Sequence, residues 1–341
     1  MTLGLVLGGG GLVGMGYHAG VLKALDDVGV DPALFDVIVG TSAGSVIGSY
    51  LATGWTLSDF FEYAHGRHAR AEHDEAGQRD EVRRMFEPLW HSRGERIRRG
   101  IGSTFAVASA RGYWSKASRG RVPGTALRRA FPSGLYSTEE SRRRLHEDLP
   151  DQWPSRTLYV CAADLYTGQR VVFGRDGAPP ARLADAVLAS TAIPGLFPPV
   201  RIGERQYVDG GIVSASSLDL AVEAGCDAIL CVAPLGYRNE GGLPEPKMWG
   251  PMIVRSLFAR SLRREVMDAR RRGVEVLVIR PWVTELVAQG TNSMRHFDRG
   301  AVVDAAREGA LRLLDDHSDH AVLRAGRAPR PAKKKVSAGG S

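Results

Sequence analysis

Cysteine is scarce in this chain. Cys161, Cys226 and Cys231 are the three present; they form no CxxC pair, and each lies in or beside an apolar run. That excludes a disulfide-stapled scaffold and a zinc-ribbon spacing, and the expectation is buried, reduced thiols in a cytoplasmic protein. Long apolar runs are lacking too: none approaches the roughly 18 residues that cross a bilayer. The N-terminus leads almost directly into a strand-like segment, with neither a basic n-region nor a separate apolar region, so no signal peptide is expected. Charge is nearly balanced outside one place. Of the formal net +7, six charges sit in 324–341 as Arg324, Arg327, Arg330, Lys333, Lys334 and Lys335, with no acid among them. This Ala, Pro, Gly and Lys-rich tail is predicted to be disordered, either solubilising the protein or adhering weakly to anionic lipid. No nucleic-acid partner is expected, because neither a recognition motif nor interleaved aromatics accompany the charges.

Glycine, by contrast, is abundant, with 41 residues in a chain of 341. Two glycine clusters sit where chemistry can use them. The apolar run Phe35 to Val39 leads into Gly40-Thr41-Ser42-Ala43-Gly44 and then into a helix-compatible stretch. That strand, tight turn and helix order is what a nucleophile elbow requires, because it lifts a serine Oγ above the sheet and aims a helix N-terminus at it. Earlier, Leu3 to Leu7 runs into Gly8-Gly9-Gly10-Gly11-Leu12-Val13-Gly14, whose backbone N–H groups can approach a phosphate or an oxyanion. Gly9, Gly11 and Gly14 also match a dinucleotide fingerprint. That mechanism needs an acidic residue at the end of the second strand, however, and Gly40-Thr41-Ser42 stands there instead.

A third segment, Gln206-Tyr207-Val208-Asp209-Gly210-Gly211, places an aspartate at a strand end between apolar residues and two glycines. A serine nucleophile needs a base within hydrogen-bond reach. Of the nine histidines, His65, His68, His73, His91, His317 and His320 lie in polar stretches, and His18 sits on the first predicted helix. Asp209 is the better candidate base.

Together the three segments resemble the patatin-like phospholipase family, in which a glycine-rich oxyanion loop, a serine elbow and a late Asp-Gly-Gly or Asp-Gly-Ala segment occur in this order. The stretches 157–164 and 189–199 fit the same pattern. The resemblance implies Ser42 as nucleophile, Asp209 as base, and Gly9, Gly10 and Gly11 as oxyanion donors. Gly14, Gly40, Gly44, Gly210 and Gly211 support these motifs. It implies a serine acyl hydrolase of lipid carboxyl esters, of phospholipase A, lysophospholipase or esterase type, working without metal or organic cofactor. The alternative is a lipid-binding or regulatory protein of low turnover on the same fold. In one respect the chain departs from the family: Val13 occupies a position where many members carry Lys or Arg.

Strand-like runs at 157–163, 170–174, 205–208, 227–233 and 274–279 alternate with helical patterns at 15–28, 43–53, 137–149, 182–190, 217–225, 251–272 and 298–316. This alternation predicts a three-layer α/β/α sandwich with a mostly parallel central sheet, the elbow following the second strand. One domain over 1–323 is expected, with a basic tail at 324–341. Residues 55–150 break the alternation and read as an insertion or lid, with a loop-like section at 100–124 mixing apolar and basic residues. The 251–272 helix shows an apolar stripe through Val254, Phe258, Leu262 and Val266, with Arg255 among the arginines expected on its solvated face.

Overall fold

The computed structural model describes residues 1–72, 74–112, 132–238, 249–283, 285–290 and 299–327. Its strands are β1 (Leu3–Leu7), β2 (Val37–Thr41), β3 (Thr157–Asp164), β4 (Arg170–Phe173), β5 (Val200–Ile202), β6 (Arg205–Asp209), β7 (Ala228–Val232) and β8 (Glu275–Ile279). They form one sheet in the order β5-β6-β3-β2-β1-β7-β8, with β4 added on β3. The five strands from β3 through β8 in that order are parallel to one another, whereas β4, β5 and β6 join by antiparallel pairing.

The helices are α1 (Gly11–Asp27), α2 (Ala43–Ala52), α3 (Leu57–Ala64), α4 (Glu75–Met85), α5 (Arg93–Gly112), α6 (Glu139–Asp148), α7 (Leu183–Thr191), α8 (Asp219–Glu223), α9 (Trp249–Arg271), α10 (Glu285–Gln289), α11 (Arg299–Asp316) and α12 (Ala321–Gly326). Side chains alternate across the sheet, as a two-residue period demands. Leu3, Leu5 and Leu7 of β1 pack into the layer of α1, α2, α7 and α11, whereas Val6 packs into the opposite layer with α8 and α9. Both faces being covered explains why the strands read as unbroken apolar runs. The fold is therefore the expected three-layer α/β/α sandwich with a mostly parallel central sheet.

Some boundaries differ from expectation. α1 begins at Gly11, four residues before the apolar pattern starts, because the glycine loop itself supplies its first turn. The section at 100–112, expected to be a loop, belongs to α5, and the remainder of that section lies outside the described residues. Arg324 lies in α12 and Arg327 pairs with Val30 in an isolated bridge, so the ordered chain extends beyond the predicted start of the tail. Residues 328–341 are outside the described set. On α9, Arg255 is not solvated but buried, where it donates to the carbonyls of Pro234 and Gly236 and to Gln289.

β1 lies at the point where successive connections change direction: β2 and β3 follow on one side of it, β7 and β8 on the other. Crevices at the carboxyl ends of strands beside such a switch point are where open α/β sheets hold ligands.

Candidate active site

Ser42 stands between the last residue of β2 and the first of α2, with φ 53° and ψ −122°. A non-glycine residue in the left-handed region costs on the order of 1–3 kcal/mol and persists only where its surroundings over-determine it. Three hydrogen bonds do so. The Ser42 N–H donates to Ser190 Oγ at 2.9 Å, and Ser190 Oγ in turn donates to the Cys161 carbonyl at 2.6 Å. Ser45 Oγ donates to the Ser42 carbonyl at 2.7 Å. Both flanking glycines are steric necessities: a Cβ on Gly44 would overlap the Leu7 carbonyl oxygen, and one on Gly40 would run into the backbone of Gly44 and Ser45.

Asp209 reaches the same level of the sheet by a different route. β3 continues past the ends of β1 and β2, and β6 runs back antiparallel along this overhang, so that Asp209 stands opposite Ala162 while Cys161 stands opposite Thr41. Its N–H donates to the Ala192 carbonyl at 3.0 Å, and its Oδ1 accepts from the Gly211 N–H at 2.7 Å. The Ser42 side chain lies near enough to this carboxylate to lower its pKa. A Cβ on Gly210 would overlap the Cys161 carbonyl, so glycine is required where the chain turns away. Burial raises the Asp209 pKa to about 6, opposed by the hydrogen bonds from Ser42 and Gly211. Both opposing groups are neutral donors, and their lowering of the pKa is outweighed by burial.

The glycine loop divides its N–H groups between structure and site. Gly8 donates to the Val232 carbonyl at 2.9 Å and Gly9 to the Ala215 carbonyl at 2.8 Å. Gly9 is therefore removed from the expected oxyanion donors, since its hydrogen is already committed. The N–H groups of Gly10 and Gly11 have no hydrogen-bond partner among the described residues, and Gly11 borders the cavity that Ser42 opens onto. Gly10 must be glycine, as a Cβ would come within 2.7 Å of Gly14 Cα and 2.9 Å of Pro234 Cβ. Gly14 itself has ordinary van der Waals room. Val13 is buried and does not line the cavity. His18 is fully buried with Nε2 at 2.8 Å from the Gly8 carbonyl, and burial lowers its pKa to about 4, so it serves as a neutral brace for the loop.

The cavity beside Ser42 has a volume of about 390 Å³. α1 and α2 each present one helical face to it, Leu12, Met15, Gly16 and Ala19 from one, Ala43, Val46, Ile47 and Tyr50 from the other. From Ser42 to Tyr50 this floor extends about 12 Å at the usual helical rise. Trp55, Phe60, Tyr63, Met85, Phe86 and Leu145 add to its apolar surface, as do Leu188, Ile193 and Phe197. Described residues within 55–86 and 138–148 thus form a wall of the cavity beside α1 and α2. It is tied together by Glu81, which is almost fully buried and accepts from Tyr63 Oη at 2.6 Å, Arg144 Nη1 at 2.6 Å and Arg299 Nη1 at 3.0 Å. Among the described residues no group of His, Cys, Asp and Glu could hold a metal ion.

The sequence carries no sign of the contacts that Ser190 and Glu81 make. Ser190 lies within the 189–199 stretch that carried the resemblance, but nothing in the linear chain shows that its hydroxyl reaches Ser42. Glu81 sits in a polar run whose burial is decided only by α6 and α11 closing over it.

The geometry is that of a serine elbow facing a buried carboxylate on an α/β/α sheet. The model of the patatin-like phospholipase family matches residues 5–222, and the chain belongs to that family, whose shared activity is lipid hydrolysis. An uncharacterized NTE family protein of Mycobacterium tuberculosis is 27% identical over 231 residues, 68% of this chain, and this chain spans 30% of that protein's length. The lysophospholipase nte1 of Aspergillus fumigatus is 32% identical over 236 residues, 68% of this chain and 12% of that protein. Among solved structures, VipD from Legionella pneumophila aligns with a TM-score of 0.43 at 16% identity, covering 93% of this chain and 67% of that one.

Proposed function

We propose that the chain is a serine acyl hydrolase of lipid carboxyl esters, acting through a dyad of Ser42 and Asp209. The observation that supports the reading is the strained Ser42 at the strand-to-helix turn, which borders a largely apolar cavity and neighbours the buried Asp209 carboxylate. Ser42 Oγ attacks the ester carbonyl as Asp209 takes its proton, and the N–H groups of Gly10 and Gly11 hold the developing oxyanion. The proton passes to the departing alkoxide. Water then attacks the acyl-enzyme with Asp209 again as base, which releases the fatty acid and restores Ser42. The aspartate is an adequate base because burial has raised its pKa to about 6.

An acyl chain fits the floor between α1 and α2, and the lysophospholipase name of the fungal relatives agrees with a single-chain substrate. No described helix is long and apolar enough to cross a membrane. We place the protein in the cytoplasm, with the basic residues of 328–341 drawing it to anionic lipid surfaces. The test is hydrolysis of acyl esters of graded chain length and headgroup, with fluorophosphonate labelling, for the native chain and Ser42→Ala. Hydrolysis and labelling that both vanish in a folded Ser42→Ala support the reading. A native chain that binds lipid without turnover or labelling returns the lipid-binding alternative.

A further inference from the structure

We infer that Glu265, on α9, is a positioning residue for the oxyanion loop, acting through the serine-rich turn at 214–217. The inference rests on the proposed acyl-transfer reading, but it concerns residues that lie outside the dyad and its motifs. Among the described residues, Ser42 and Ser217 are the two non-glycine positions with positive φ, at 53° and 52°. They belong to one assembly. Thr41, which precedes the elbow, points its hydroxyl at Ser217 Oγ across 3.4 Å, and Ala215, inside the turn, holds the Gly9 N–H at 2.8 Å. The turn therefore sets the glycine loop on one side and abuts the elbow on the other.

A serine at φ 52° has no conformational preference for that state, so something must hold it there. Glu265 does. Its Oε1 accepts from Ser214 Oγ at 2.6 Å, and its Oε2 accepts from Ser216 Oγ at 2.6 Å and from the Leu218 N–H at 3.1 Å. Ser214 Oγ, oriented by that bond, accepts the Ser217 N–H at 2.9 Å. One carboxylate thus fastens both sides of the strained residue, through bonds of the short, charge-assisted kind. The consequence is directional: with the turn fixed, the Ala215 carbonyl faces Gly9, and the following N–H groups of Gly10 and Gly11 are left for the oxyanion. Without Glu265 the turn can relax toward an unstrained φ, the Ala215 carbonyl swings away, and the loop loses its anchor.

Such a role affects the transition state more than substrate binding. Glu265→Ala should lower kcat on a water-soluble short-chain ester by about 10- to 100-fold, with KM within about threefold of the native value. Glu265→Gln, which keeps an acceptor and adds a donor, should recover most of the loss. The acidic limb of kcat/KM, governed by Asp209, should not move in either variant. Ser214→Ala removes two anchoring bonds, to Glu265 and from the Ser217 N–H, and Ser216→Ala removes one; both should lower kcat, Ser216→Ala the less, so the inference stays testable if Glu265→Ala does not fold. Activity per folded molecule equal to native in Glu265→Ala, or in both serine variants, overturns it. So does a shifted acidic limb, which would place Glu265 in the field of Asp209 instead. These outcomes differ from failure of the acyl-transfer reading, in which the native chain itself hydrolyses no ester.

Discussion

The backbone N–H of Ser42 is held by the side-chain oxygen of Ser190, 2.9 Å away across the gap between two chain segments remote in sequence. The same Ser190 hydroxyl gives its proton to the Cys161 carbonyl on the neighbouring strand. A strained turn is thereby fastened to the sheet it rises from.

Ser190→Ala leaves a fully buried N–H and a carbonyl without their partner, at a cost of about 1–3 kcal/mol. The expected outcome is a lower melting temperature together with kcat reduced by about tenfold or more, because the elbow is then free to relax. Thermal denaturation and ester kinetics on the same preparation check both.

Asp209 gives a prediction with a sign. With its pKa raised to about 6 from an ordinary value of 3.8, kcat/KM should rise with pH through about 6 and level off above it as the base ionises. The stability effect runs the other way. The folded state binds the proton more tightly than the unfolded one, so stability is full below pH 3.8 and is lost as pH rises through about 6. Asp209→Asn should therefore be inactive yet more stable than native at pH 7.5, by on the order of 2–3 kcal/mol, with the gap closing at pH 4. Melting curves at the two pH values measure it; an unstable, inactive variant at pH 7.5 contradicts it.

Gly10 and Gly14 of the glycine loop differ in what they tolerate. Gly10→Ala would drive a Cβ to 2.7 Å from Gly14 Cα, and ester hydrolysis should fall by at least 100-fold. Gly14→Ala meets no atom closer than 3.5 Å. In the first turns of α1 it should leave kcat within about threefold and add roughly 0.5–1 kcal/mol of stability. Comparative kinetics and melting of the two variants separate the roles.

Glu81 joins α3, α4, α6 and α11 around the cavity, and Glu81→Ala takes this carboxylate from Arg299 and leaves Arg144 with Glu140 as its partner. Breaking a buried pair in this way costs about 3–5 kcal/mol. The cavity wall should loosen before the sheet does, so protease sensitivity should increase within 55–150 while labelling of Ser42 persists. Limited proteolysis with mass mapping, run beside fluorophosphonate labelling, tests that order.

The strand ends and the glycine pattern around Ser42 and Asp209 were legible in the sequence because both are local requirements. A turn at φ 53° with Gly44 against Leu7 tolerates few residue types, and strands covered on both faces must be apolar throughout. The family followed from the same residues. What tertiary structure decided was everything that depends on partners distant in the chain. Gly9 reads like its neighbours, but the Ala215 carbonyl takes its hydrogen. Arg255 reads as a surface arginine, yet Pro234, Gly236 and Gln289 satisfy it inside. Asp209 meets Ser42 only because β6 doubles back along the overhang of β3. A periodicity records which face of an element is apolar; which carbonyl, carboxylate or hydroxyl waits opposite is set by packing between segments, and that leaves no local trace.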